Sequence, residues 1–120
     1  MSTLRIGIAS YEQMKARTLA IARGRLKPGI QEPKVWFTST ESMARVLSAK
    51  NRELLEIIRR NQPQSLTELA EQTGRKKPNL SRTLKTMQRY GLVRVRHHGR
   101  GQIVPTVPYD RVAMVLELVS

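Results

Sequence analysis

Between Ser65 and Gly91 the chain signals two helices in succession, separated by one glycine turn. Ser65 stands three residues before Glu68, the spacing of a capping box, in which the hydroxyl takes the third amide and the carboxylate reaches back. Leu66, Leu69 and Ala70 give the short helix that follows an apolar face. Gly74 suits the left-handed residue that ends such a helix without a Cβ penalty. Pro78 fits the first turn of the next helix, where a missing N–H costs little. That helix is read from about Lys77 to Tyr90. At about 100° per residue, Leu80, Leu84 and Met87 fall on one face and Arg82, Lys85 and Arg89 on the other, with Asn79, Ser81 and Thr86 beside them.

Charge sharpens this pattern. The chain of 120 residues carries a formal net charge of +13, which attracts polyanions. Residues 75–109 hold +9 of it, and no acid lies between Glu71 and Asp110. Residues 1–47 carry +5, residues 48–74 zero and residues 110–120 −1. A carboxylate in the acid-free segment would oppose a phosphate backbone, so the segment reads as one polyanion-facing surface. A helix with buried leucines, exposed cations and short polar side chains meets the needs of a major groove.

After Gly91, Leu92 to Arg96 alternate as a strand, residues 97–101 make a glycine-containing turn, and Gln102 to Thr106 return as its partner. The hairpin places Arg100 at its tip, where an arginine can enter a minor groove or meet a phosphate. Upstream, Leu4, Ile6 and Ile8 alternate as a short strand. Ser10 and Gln13 cap a helix from about Tyr11 to Arg23, Lys34–Phe37 is a second short strand, and Thr38 with Glu41 caps a third segment through Leu47. A longer helix runs from about Lys50 to Asn61 on Leu54, Leu55 and Ile58. Val112, Val115, Leu116 and Val119 make the apolar C-terminal segment a candidate dimerisation helix, with the N-terminal arm as the other candidate.

The run LTELAEQTGRKKPNLSRTLKTMQRYGLVRV resembles the winged helix-turn-helix of MarR-like and ArsR-like transcriptional regulators, through Ser81, Arg82, Leu84, Gly91, Leu92 and Val93. The resemblance covers about residues 48–105. The flanks IGIASYEQMKARTLAIARG and EPKVWFTSTESMARVLSAKNRELLEII are similar to small prokaryotic DNA-binding proteins often encoded beside a toxin-like protein. The implied fold is α+β, mainly helical with a small β wing, and an N-terminal strand/helix arm. The implied division is an arm for dimerisation or partner binding at 1–47, a winged helix-turn-helix at 48–108 and a C-terminal helix at 109–120. The long dimerisation helices, drug pocket and cysteine metal sensors of typical relatives have no counterpart here.

The expected function is a homodimeric, sequence-specific double-stranded DNA-binding regulator, a repressor. Asn79, Ser81, Arg82 and Lys85 are assigned to base edges or adjoining phosphates. Lys76, Lys77, Arg89, Arg94 and Arg96 are assigned to phosphates, and Ser65 and Thr67 to the backbone. His98 and Arg100 complete the candidate surface. The alternatives are an antitoxin that neutralises a toxin partner and autoregulates, and an RNA-binding module, for which Tyr90 and Tyr109 are the only aromatics in the basic segment.

Other chemistry finds little support. With Cys 0, disulfides and thiolate sites are excluded. His97 and His98 lack a third ligand nearby, so no metal site is expected. No base, acid and nucleophile cluster as an enzyme requires, and no cofactor loop appears. Trp36 and Phe37 read as core or dimer packing. No apolar run is long enough to span a membrane, the first residues lack a secretion signal, and the expected location is the cytoplasm.

Overall fold

The computed structural model describes residues 2–27, 29, 32–99, 102–116 and 118. Among them the chain is α+β, with five helices and five strands in two small sheets. It divides into two compact units, one made of residues 1–45 with 110–120, the other of residues 46–109.

The first unit is built on three parallel strands, β1 (Thr3–Ile8), β2 (Val35–Phe37) and β5 (Arg111–Val115), in the order β2-β1-β5. The apolar alternation of β1 buries Leu4 and Ile6, and Phe37 of β2 is fully buried in the same unit. Helix α1 (Tyr11–Ala22) connects β1 to β2, as parallel strands require a crossover. Its N-terminus carries a complete capping box, with Ser10 and Gln13 exchanging side-chain and backbone bonds of 3.1 and 2.8 Å. Helix α2 (Thr40–Val46) follows β2. Its cap is Ser39, whose Oγ accepts from the Ser42 amide at 3.0 Å. The expected cap at Thr38 is thus one residue early.

Gly7 is fixed by close approach. A Cβ there would lie 2.5 Å from Cζ3 of Trp36. Arg17 also lies over the indole, with its guanidinium carbon 5.3 Å from the ring centre and its Nη2 2.6 Å from Glu32. Gly7→Ala is therefore expected to destabilise this unit by about 1–3 kcal/mol through overpacking. Trp36 is the only tryptophan, so its fluorescence in a denaturant titration reads this unit directly. An unchanged midpoint would mean that the indole swings aside at no cost.

The C-terminal segment departs from expectation. Arg111–Val115 is a strand paired with Thr3–Gly7, not part of a helix. Asp110 fastens its start, exchanging bonds with Ser2 at 2.9 and 3.1 Å. The helical spacing of Val112, Val115 and Leu116 is overridden by an open edge of β1, and tertiary pairing routinely defeats such weak local patterns. Val119 lies outside the described residues.

The second unit contains α3 (Ala49–Asn61), α4 (Leu66–Thr73), α5 (Lys77–Arg89) and an antiparallel hairpin, β3 (Arg94–His98) with β4 (Gln102–Thr106). Its core joins Leu54 and Ile58 of α3, Leu69 of α4, Leu80, Leu84 and Met87 of α5, and Leu92, Val93 and Val104. Strand β3 starts at Arg94, because Leu92 and Val93 are drawn into this core before pairing begins. His97 and His98, expected in the turn, lie in the strand opposite Ile103 and Gln102. Their neighbouring positions alternate to opposite faces, so they cannot converge on one ion.

Candidate nucleic-acid interface

Ser65 and Gly74 set the frame. The Ser65 Oγ accepts from the Glu68 amide at 3.0 Å and starts α4. The carboxylate of Glu68 does not close the expected box on Ser65. It accepts instead from the Gln64 amide at 3.1 Å. Gly74, at φ 73, ends α4 with its amide bonded to Ala70 O at 2.8 Å. Arg75 then locks the turn to the start of α3, donating to Lys50 O at 2.7 Å and Asn51 Oδ1 at 3.3 Å. This arginine serves the turn, a role that its place in a basic run does not announce.

Helix α5 starts from Lys76 in extended conformation, with Pro78 in its first turn. No side chain caps it, and no acid lies in its first turn. The positive end of the helix dipole is therefore not offset locally and adds to Lys76 and Lys77. Leu80, Leu84 and Met87 are buried, while Asn79, Arg82, Lys85 and Arg89 are exposed. Ser81, like Thr83 and Thr86, is half-buried at the margin of the stripe. Arg82 Nη2 donates to Asn79 Oδ1 at 2.6 Å. The pair, one turn apart, fixes the guanidinium and leaves Asn79 with its amide donors free to address a partner.

The other expected residues lie at the start of α4, on α4 and on the hairpin. Ser65 is half-buried at its cap, and Thr67 is exposed on α4. Arg94, Arg96 and His98 are exposed and, by strand alternation, face the same way. Arg96 lines a cleft of about 360 Å³ with Arg59, Gln62 and Gln64, and no residue of α5 lines it. Arg100 lies outside the described residues.

The hairpin is anchored by residues that give no signal in the sequence. Gln102 Nε2 donates to Gln64 O at 2.7 Å, and Arg59 Nη1 to Val107 O at 2.8 Å. Gln62 ends α3 at φ 48, the only non-glycine with positive φ among the described residues, and its carbonyl accepts from Gln64 Nε2 at 2.9 Å.

Among the described residues no helix is long and apolar enough to cross a membrane. No curated protein and no solved structure matches the chain. A family model described as HVO_A0114 matches residues 46–114, which span α3, α4, α5, the hairpin and most of β5. That is more than half of its length, and the chain belongs to the HVO_A0114 family.

Proposed function

We propose that this protein is a sequence-specific double-stranded DNA-binding regulator, a repressor acting as a homodimer, and that its 46–109 unit works as a winged helix-turn-helix of the MarR-like and ArsR-like kind. The observation that carries the reading is α5. It buries three apolar residues, exposes a cationic stripe, and holds Arg82 and Asn79 in one bonded pair. Arginine and asparagine are the side chains that pair bidentately with guanine and adenine edges. In this reading α5 enters the major groove, Lys76, Lys77 and Arg89 hold phosphates, and the β3–β4 hairpin is the wing, with Arg94 facing the backbone.

Arg82→Ala is expected to weaken binding to the cognate site by about 1–3 kcal/mol, roughly 5- to 150-fold, and to relax preference at one base pair. Fluorescence anisotropy with the chain's own upstream DNA against random duplex measures this. Equal losses on both DNAs would refute the readout role of Arg82.

An antitoxin is the second reading, favoured by the separate α/β unit of residues 1–45 and 110–120. Co-purification with the product of an adjacent gene tests it. RNA binding is the third, and the half-buried state of Tyr90 and Tyr109 gives it little stacking surface. Competition between single-stranded RNA and duplex DNA separates it from the first.

A further inference from the structure

We propose that β5 is a dimerisation edge: two copies join by pairing their β5 strands antiparallel about a two-fold axis, fusing two three-stranded sheets into one of six strands. This names the surface of the dimer in the DNA-binding reading above and extends that reading.

The sheet is finished on one side and unfinished on the other. Register places Val112 beside Leu4 and Met114 beside Ile6, on the same face. Leu4 and Ile6 are 3% and 1% exposed, whereas Val112 and Met114 are 38% and 49% exposed. On the opposite side Phe37, beside Ile8, is 0% exposed. The apolar layer is closed at β2 and left open at β5. Leu116, just past the strand, is also exposed.

The backbone repeats this asymmetry. β2 has three residues and follows Pro33 closely, so it offers a short ladder. β5 has five residues and no strand on its outer side among the described residues. Neither proline nor lysine, the usual guards of a free edge, occurs in Arg111–Val115. A two-fold axis beside such a strand gives both copies the same new hydrogen bonds and covers both edges at once.

Charge selects a second copy as the occupant. Two molecules of +13 repel least where charge is sparse, and residues 110–120 hold one base and two acids whereas residues 75–109 hold nine Lys and Arg and no acid. Arg111 is the only charged residue of β5. In an antiparallel pair centred near Ala113 the two Arg111 lie at opposite ends of the ladder, about 14 Å apart. That exceeds the screening length of roughly 8 Å at physiological salt. An acidic foreign protein would be drawn to the basic surfaces instead.

The test is sedimentation velocity of the full chain at about 50 µM, without DNA. The wild type is expected at twice its 13.7 kDa mass, and Val112→Lys/Met114→Lys at the single mass with unchanged Trp36 fluorescence. Should that variant unfold, Met114→Cys in this cysteine-free chain replaces it. A short bismaleimide is expected to link it into a dimer, while Lys15→Cys on α1 stays unlinked. A monomeric wild type, a dimeric double-lysine variant, or equal linking of the two cysteine variants overturns the proposal. Random-duplex binding measured in parallel reports on the DNA reading alone: its absence from a dimeric wild type sinks that reading and leaves the edge standing.

Discussion

Raising salt from about 50 to 200 mM is expected to weaken duplex DNA binding by about 1,000-fold, because each phosphate neutralised releases a condensed counterion. The size follows from which cations are available. Lys76, Lys77, Arg82, Lys85, Arg89 and Arg94 are all exposed on α5, at its start or on the hairpin. Arg75 is excluded, since its guanidinium is committed to Lys50 and Asn51. About six contacts give a slope of roughly −5 in log K against log salt. Lys77→Ala should reduce that slope by about one unit and weaken all sequences alike. A slope near −2 would mean that most of these side chains never reach the backbone, and the proposed docking of α5 would have to be abandoned.

Leu84→Ala should lower the stability of the 46–109 unit by about 2–5 kcal/mol, the cost of an unrefilled cavity where a leucine is lost. Leu84 is 2% exposed and shares its core with Leu69, Leu80 and Met87, none more than 0% exposed. A small domain has only about 5–15 kcal/mol to lose, so the variant should lose much of its far-UV circular dichroism at denaturant concentrations the wild type survives. Lys85→Ala, one residue on and exposed, should stay within about 0.5 kcal/mol of wild type. If the two variants melt together, Leu84 does not anchor the helix, and the exposed stripe loses its fixed platform.

The parts of the fold that announce themselves in the sequence are those whose partners are near. Gly74, Pro78 and the spacing of Leu80, Leu84 and Met87 delimit α5 to within one residue, because caps and apolar periodicity act inside a single helix. Alternation at Leu4, Ile6 and Ile8 likewise finds β1. The C-terminal strand escapes for the opposite reason. Its partner lies at the other end of the chain, pairing Leu4 with Val112, and nothing between Asp110 and Leu116 encodes an edge that far away. The glycines that follow His97 and His98 point to a turn at both, yet the ladder continues through them.

The candidate surface is legible in part. Residue type and helical phase pick out Asn79, Arg82, Lys85 and Arg89, since one helix decides which of its own faces is wet. The bond between Asn79 and Arg82 is a matter of rotamers, and the cleft that Arg96 lines with Gln62 is a matter of how a hairpin packs on another helix. Neither leaves a trace in spacing. The same holds for the glutamine contacts that seat β4, which any polar residues of similar length could imitate in sequence.

The pairing of β5 with β1 also orders events during synthesis. β1, α1, β2 and α2 leave the ribosome first, but their sheet lacks a strand until everything through Val115 has followed. The 46–109 unit emerges whole within that interval. At about 5–20 residues per second the wait is roughly 3–14 s. For that time one flank of β1 is an unpaired edge on a nascent chain, open to any neighbouring strand. The helices that carry the cationic stripe can therefore be in place before the unit encoded ahead of them has closed.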